Sequence, residues 1–376
     1  MKRKKMIPIN TPKIGEEEIA AVVNVLRNGP LTNALGAGPM VTEFEKKFAD
    51  FAGVKHAIAV NTGTAALHAA VVAAGVKQGD EVILPSFTFV ATAEAVVLAG
   101  GRPVFVDIDE ETYNISIDAI KEAITEKTKA IIPVDLYGLP ANTKSIKEIA
   151  AQYSLAVVED AAQAHGAMYE DKCAGAFADV ACWSLYASKN ITTGEGGVVT
   201  TDNDELAETL RMIRTHGEKV KYASQMLGCN YRMTEMQAAI GVVQLKKLKD
   251  FVARRRQNAQ RLSKLLAKNC KLQLPHEPKG TAHSWYLYTV RLRGATETER
   301  NRVISELKSS GIGAEVYYAN PVHLMPYYRD NFGARKLPET EKAAKQVFSL
   351  PVHPAVTDDQ VDYIGETLLR LLQLKS

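Results

Sequence analysis

The run His56-Ala-Ile-Ala-Val-Asn-Thr-Gly-Thr-Ala-Ala-Leu67 sets the fold. Its first five residues, His56–Val60, read as a short, continuously apolar strand. Past Gly63 the pattern becomes that of a helix over Thr64–Ala74. The same alternation then repeats. Strand Glu81–Leu84 leads to helix Thr88–Ala99, and strand Pro103–Val106 to helix Ile117–Ile124. Strand Ala130–Val134 precedes helix Thr143–Tyr153, and strand Leu155–Glu159 follows. Strands apolar along their whole length are buried on both faces. Alternation of this kind predicts right-handed βαβ units and an α/β fold, with an open, mostly parallel sheet between helices. Ligands of such sheets sit beyond the carboxyl ends of the strands.

Working outward, an amphipathic helix (Gly15–Leu26), a turn-rich stretch (Asn28–Gly38) and a helix around Val41–Phe51 precede this block. Downstream, the strand-like runs Ala178–Trp183 and Val198–Thr200 flank a glycine-rich loop. Helix Asp204–Arg214 follows, then a long helix from Thr234 to about Arg256. Arg254, Arg255 and Arg256 suit a helix C-terminus and read as a solvated face. Past residue 260 the rhythm changes. Strand Tyr286–Leu292, helix Glu297–Ser309, strand Ala314–Tyr317, a loop to Leu337, and helices Glu339–Val347 and Asp358–Leu372 predict a smaller α+β domain. The division expected is a large domain over 1–255 and a small one over 256–376.

The 376 residues suffice for about two domains and a large core. The formal net charge of +3 is small and its charges are dispersed, which argues against a nucleic-acid groove. Met1–Lys5 is basic, but no apolar signal segment follows, and no apolar run is long enough to span a bilayer. Four cysteines are widely spaced without Cys-x-x-Cys, and the eight histidines lack ligand spacing. A disulfide framework and a metal site are therefore not expected, and a reducing cytoplasm is.

Three segments carry chemistry. Asn61–Leu67 opens a helix after a strand, where free N–H groups and the helix dipole bind phosphate. Gly63 lets an anion approach and the Thr64 hydroxyl can donate; read alone, the segment is more simply an ordinary threonine N-cap. Asp160 follows an apolar strand, where a carboxylate needs a partner or water; alone, it is equally a helix cap. Lys189 lies among small polar residues and glycines, Ser188-Lys-Asn-Ile-Thr-Thr-Gly-Glu-Gly-Gly197. By itself it could be a surface lysine in a glycine-rich hairpin. A phosphate cradle, a strand-end aspartate and a glycine-flanked lysine, in that order on a parallel sheet, fit pyridoxal 5'-phosphate. That cofactor takes an amine for its Schiff base, a carboxylate opposite its pyridine nitrogen and donors for its phosphate.

The run Ser184-Leu-Tyr-Ala-Ser-Lys-Asn-Ile-Thr-Thr-Gly-Glu-Gly-Gly197 resembles the active-site signature of the DegT/StrS-type sugar aminotransferases, in the aspartate aminotransferase superfamily. So do Val158-Glu-Asp-Ala-Ala-Gln-Ala-His-Gly-Ala167, Asn61–Leu67, Pro85–Thr92, Asn230–Leu245 and Ser349-Leu-Pro-Val-His-Pro354. The resemblance covers nearly the whole chain and implies seven strands in the large sheet. It implies Lys189 as the Schiff-base lysine and proton shuttle, Asp160 on the pyridinium and Gln163 against the ring. Phe89 would stack on the ring, or be a core aromatic of its helix. Gly63, Thr64 and Ser184 would hold the phosphate. Asn230 would reach the cofactor of the other subunit, implying a homodimer with shared active sites. Arg232, Tyr317, Tyr318 and His323 would contact substrate, although Tyr317-Tyr318-Ala319 stands where the family often has His-Tyr-Pro. Glu195 would position the lysine loop or touch substrate. The implied reaction is a ping-pong transfer of the amino group of glutamate to a ketosugar, most simply one linked to a nucleoside diphosphate. The alternatives are a keto-inositol acceptor and a non-catalytic regulator; a deoxysugar dehydratase would carry histidine in place of Lys189.

Overall fold

The computed structural model describes residues 6–373, so the basic lead Met1–Lys5 lies outside the described residues. Helices α1 (Glu16–Asn28) and α2 (Pro39–Ala52) lead into the alternating block. The block comprises β1 (His56–Val60), α3 (Gly63–Ala73), β2 (Glu81–Pro85), α4 (Ala91–Leu98), β3 (Arg102–Val106), α5 (Ile117–Ala123), β4 (Thr128–Ile131), α6 (Thr143–Gln152) and β5 (Ala156–Asp160). The small strands β6 (Met168–Tyr169) and β7 (Lys172–Cys173) precede β8 (Val180–Ser184), β9 (Gly197–Thr201) and α7 (Asp204–Arg214). A short hairpin, β10 (Glu218–Val220) and β11 (Ala223–Ser224), then leads to the long α8 (Glu235–Leu266).

The seven-stranded sheet has the order β1-β9-β8-β5-β4-β2-β3, and β9 alone runs against its neighbours. Burial on both faces explains the unbroken apolar strands. On β1, Ile58 and Val60 enter one core cluster with α3 and α4, while Ala57 and Ala59 enter another with α2 and α8. On β2, Val82 and Leu84 point to one side and Ile83 to the other.

The C-terminal part contains β12 (Leu272–Gln273), β13 (Thr281–Ala282), β14 (Tyr288–Leu292), α9 (Glu297–Ser309), α10 (Pro326–Phe332), α11 (Pro338–Gln346), β15 (Val347–Leu350) and α12 (Asp358–Gln373). Strands β12, β14 and β15 form an antiparallel sheet, and β13 joins β6 and β7. Three expectations change here. Ala314–Tyr317 is not a strand; only Glu315 pairs, with Ser349, before Tyr318 turns into the left-handed region at φ 68°. Val347 opens a strand rather than ending a helix, because it pairs with Arg291 of β14. The expected loop to Leu337 contains α10, with Pro326 in its first turn, where its missing N–H costs nothing.

The long helix also runs past Arg256 to Leu266, through the expected domain boundary. Its three arginines are clasps rather than a solvated C-terminus. Arg254 donates to Val356 O and Asp358, and Arg256 pairs with Glu277. Arg255, buried, donates to the carbonyls of Trp285 and Tyr286 and to Asn10 Oδ1. Ile7 N–H also donates to Gly311 O, and Gly313 N–H to Ile7 O, so the N-terminal lead is tied to the C-terminal part.

Candidate active site

A cavity of about 440 Å³ opens at the carboxyl ends of β5 and β8. Its wall includes Gly63, Thr64, Phe89, Asp160, Gln163, Ser184, Lys189, Tyr317 and Tyr318, residues singled out from five separate stretches of the sequence.

The phosphate-type corner is built by α3. Thr62, not Thr64, is the N-cap: its hydroxyl accepts from Ala65 N–H at 3.0 Å. The N–H groups of Gly63 and Thr64 lie in the first helical turn, which has no carbonyls of its own to accept them. A Cβ on Gly63 would come within 2.8 Å of Ser184 Cβ, so a side chain there would close the gap between α3 and the end of β8. Phe89 lies ahead of α4 rather than on it. It is 57% exposed and faces the cavity, which is not how a core aromatic sits.

Asp160 ends β5 and is buried. Thr92 Oγ1 donates to its Oδ2 at 2.8 Å and Ala162 N–H to its Oδ1 at 3.2 Å. Burial pushes the carboxyl above its ordinary value; those two hydrogen bonds and the nearby Lys189 oppose it. A cationic ring nitrogen at this carboxylate would stabilise its charged form. Gln163 is fixed at both ends, accepting from Tyr137 N–H at 2.8 Å and donating to the Tyr318 hydroxyl at 3.0 Å. Burial holds the Tyr318 proton on, well above the usual tyrosine range.

Lys189 lies half-buried, its Nζ 4.7 Å from the centre of the Tyr286 ring. Its neighbours anchor the loop. Ser188 Oγ meets the Tyr286 hydroxyl at 2.9 Å, and the Ser188 carbonyl accepts from the Asn10 amide. Asn190 donates to the carbonyls of His165 and Ser284. Arg255 holds Tyr286 and Asn10 in turn, so a residue read as solvated fixes the lysine loop. His165 lies buried with neither ring nitrogen partnered among the described residues; burial first, and Lys189 second, push its pKa down to about 3, so it is neutral. Glu195 is exposed at the rim, and its carbonyl accepts from Gln237.

Three sequence candidates lie outside the cavity. His323 is fully buried: Pro321 starts a tight turn, Val322–Leu324, that aims its ring at Ser86 Oγ (2.6 Å) and Glu341 (3.7 Å). In this chain it joins β2 to α11. Arg232 donates to Thr215 Oγ1 at 3.1 Å, and Asn230 is exposed, paired with Thr215 on the loop before α8. Thr92, Tyr286, Tyr186 and Asn10 were missed. Thr92 and Tyr186 left a signal, lying in the marked stretches Pro85–Thr92 and Ser184–Gly197; Tyr286 and Asn10 left none.

These residues fit pyridoxal phosphate: a buried carboxylate, an amine, and a glycine-lined helix terminus share one cavity. A profile of the DegT/DnrJ/EryC1/StrS aminotransferase family matches residues 12–369. GDP-perosamine synthase of Caulobacter vibrioides is 40% identical over 338 residues, covering 89% of this chain and 91% of that protein. A pleiotropic regulatory protein of Geobacillus stearothermophilus is 43% identical over 335 residues, covering 88% and 89%. The crystal structure of S. venezuelae DesV with a ketimine intermediate superposes with a TM-score of 0.89 at 37% identity, covering 94% of each chain. Family profile, sequence relatives and fold agree with the cavity's chemistry: the chain is a pyridoxal-phosphate-dependent aminotransferase of the DegT/DnrJ/EryC1/StrS family.

Proposed function

We propose that this aminotransferase moves an amino group from glutamate to a ketosugar carried on a nucleoside diphosphate, as a step of amino-sugar biosynthesis. The observation that carries the reading is the presence of Lys189 and Asp160 in one cavity beside the N-terminus of α3. The name of the Caulobacter relative supports a nucleotide-linked sugar. Gly63, Thr64 and Ser184 would hold the cofactor's phosphate, Phe89 and Gln163 its ring, and Asp160 its pyridine nitrogen. When bound, the cofactor supplies an electron sink for the substrate's Cα–H bond.

The chain's own part is positioning and proton transfer. Lys189 Nζ carries the proton away from the donor's Cα and returns one to the acceptor carbon, a contribution of about 10²–10⁴-fold for a positioned acid–base group. Asp160, buried and fixed by Thr92, keeps its charge aimed in one direction. Tyr317 and Tyr318 line the same cavity and would face the acceptor, and Tyr318 fixes Gln163.

The protein works as a homodimer in this reading. Asn230 and Arg232 sit outside their own cavity, on a stretch that also exposes Tyr222 (85%) and Leu227 (91%), apolar surface that a second subunit would cover. Four unpaired cysteines suit a reducing cytoplasm. Among the described residues, no helix is long and apolar enough to cross a membrane.

The test is to load the protein with cofactor, add glutamate, and then offer nucleotide-linked ketosugars and a keto-inositol. Formation of 2-oxoglutarate and of an aminated sugar nucleotide is expected, with Lys189→Ala inactive. Amination of the inositol alone would replace the substrate. No 2-oxoglutarate at all would favour a regulator, the role named for the Geobacillus relative.

A further inference from the structure

Behind Asp160 lie two more buried carboxyls. Asp135 and Glu159 are 0% and 1% exposed. One oxygen of each is satisfied by backbone: Ala141 N–H donates to Asp135 Oδ1 at 2.8 Å, and Gly175 N–H to Glu159 Oε1 at 2.8 Å. The other two oxygens, Asp135 Oδ2 and Glu159 Oε2, are buried and, among the described residues, no N–H or O–H group donates to them. Yet the parallel pairing of Val134 with Asp160 sets their chain neighbours Asp135 and Glu159 side by side, and a hydrogen bond between the two carboxyls bears on the titration of both. Two carboxylate oxygens are both acceptors, so contact between them requires a proton. The charged neighbours that bear on the pair are each other and Asp160, which adds negative charge. Burial of two such groups without a cation is tolerated only when one is neutral.

The position of the pair gives it a use. Successive side chains on a strand face opposite ways, so Glu159 turns away from the cavity while Asp160 turns into it. Asp135 N–H donates to Asp160 O at 3.0 Å, and Asp160 N–H to Pro133 O at 2.8 Å. Asp135 also begins the Leu136–Gly138 turn, in which Tyr137 sits at φ 60° and gives its N–H to Gln163.

We propose that Asp135 and Glu159 share one proton, forming a buried acid–carboxylate clasp that positions Asp160 and Gln163 at the cavity floor. Burial and the charges of Glu159 and Asp160 raise Asp135 well above the ordinary carboxyl range; burial and Asp160 raise Glu159, which its hydrogen bonds with Asp135 and Gly175 N–H partly draw back. The shared proton stands apart from the proposed function; its consequence for cofactor binding rests on that reading.

Infrared spectra of the full-length protein without cofactor test the proton. A protonated-carboxyl stretch, shifted in D₂O, is expected at neutral pH. It persists in Asp160→Asn and disappears in both Asp135→Asn and Glu159→Gln, where an amide donates in place of the acid. Absence of the band in the native protein overturns the clasp, as does its loss in Asp160→Asn alone. Equilibrium binding of pyridoxal phosphate tests the positioning. The two amide variants keep the hydrogen bond and stay within about threefold of native affinity. Asp135→Ala and Glu159→Ala leave a lone buried carboxyl and weaken binding by about tenfold or more. Both are measured, so that misfolding of one leaves the other. Native affinity in a folded alanine variant overturns the positioning role.

Discussion

Replacing Thr92 by valine removes one hydroxyl beneath the site and leaves the shape. The Thr92 hydroxyl donates to Asp160 Oδ2 at 2.8 Å, both residues being buried. A hydrogen bond to an ionised acceptor is worth about 1.5–3 kcal/mol, and one between neutral partners about 0.5–1.5 kcal/mol. The difference, about 1–1.5 kcal/mol, corresponds to roughly one pK unit. Burial already holds the Asp160 carboxyl above its unfolded value, and Thr92 pulls it back. A group with a raised folded pKa favours folding while protonated; that contribution is complete below the unfolded pKa and is lost as pH rises through the folded one. In Thr92→Val the folded pKa rises further, so the loss extends to higher pH. Urea unfolding of the cofactor-free protein should show a penalty of about 2–3 kcal/mol at pH 8, falling by about 1–1.5 kcal/mol toward pH 4. The lost contact between Thr92 and Thr88 adds a part that does not vary with pH. A penalty that is flat with pH, or larger in acid, would refute the role assigned to Thr92.

Other changes follow from the same geometry. Gly63→Ala puts a Cβ 2.8 Å from Ser184 Cβ; pyridoxal phosphate affinity, measured by titration, should fall by about tenfold or more with the fold intact. Arg255→Met leaves the buried carbonyls of Trp285 and Tyr286 without their donor, a cost of about 2–6 kcal/mol in denaturant unfolding at about 1–3 kcal/mol for each group. Turnover should fall with it through the lysine loop, while Arg255→Lys recovers part of both. His323→Ala removes the ring's hydrogen bond with Ser86 in the core, leaving the serine only the N–H of residue 323, and should cost about 1–3 kcal/mol of stability, while KM for the ketosugar stays unchanged; a raised KM with unchanged stability would return His323 to the substrate site.

The alternating block was legible because its cause is local. A strand such as β2, buried on both faces from Val82 to Leu84, has to be apolar at each of those positions, and a helix on either side has to carry one apolar stripe. Lys189, Asp160 and Thr64 were legible because each sits at a strand end or helix start marked by glycine or a break in hydropathy. Arg255 was not. Its type and position suit a helix end, and its partners are Asn10, Trp285 and Tyr286, far away in the chain. Val347–Leu350 is apolar enough for either element; only pairing with β14 makes it a strand.

The chain by itself therefore determined the α/β class, the order of the chemical groups and the family they resemble. These follow from burial patterns and residue types that act within a few positions of each other. The tertiary structure decided which groups meet. It turned His323 inward, left Asn230 and Arg232 outside their own cavity, supplied Thr92 to Asp160, and pressed Asp135 against Glu159. Hydrogen bonds and charge pairs depend on distances of a few ångströms between segments separated by tens or hundreds of residues, and no periodicity along the chain encodes those distances.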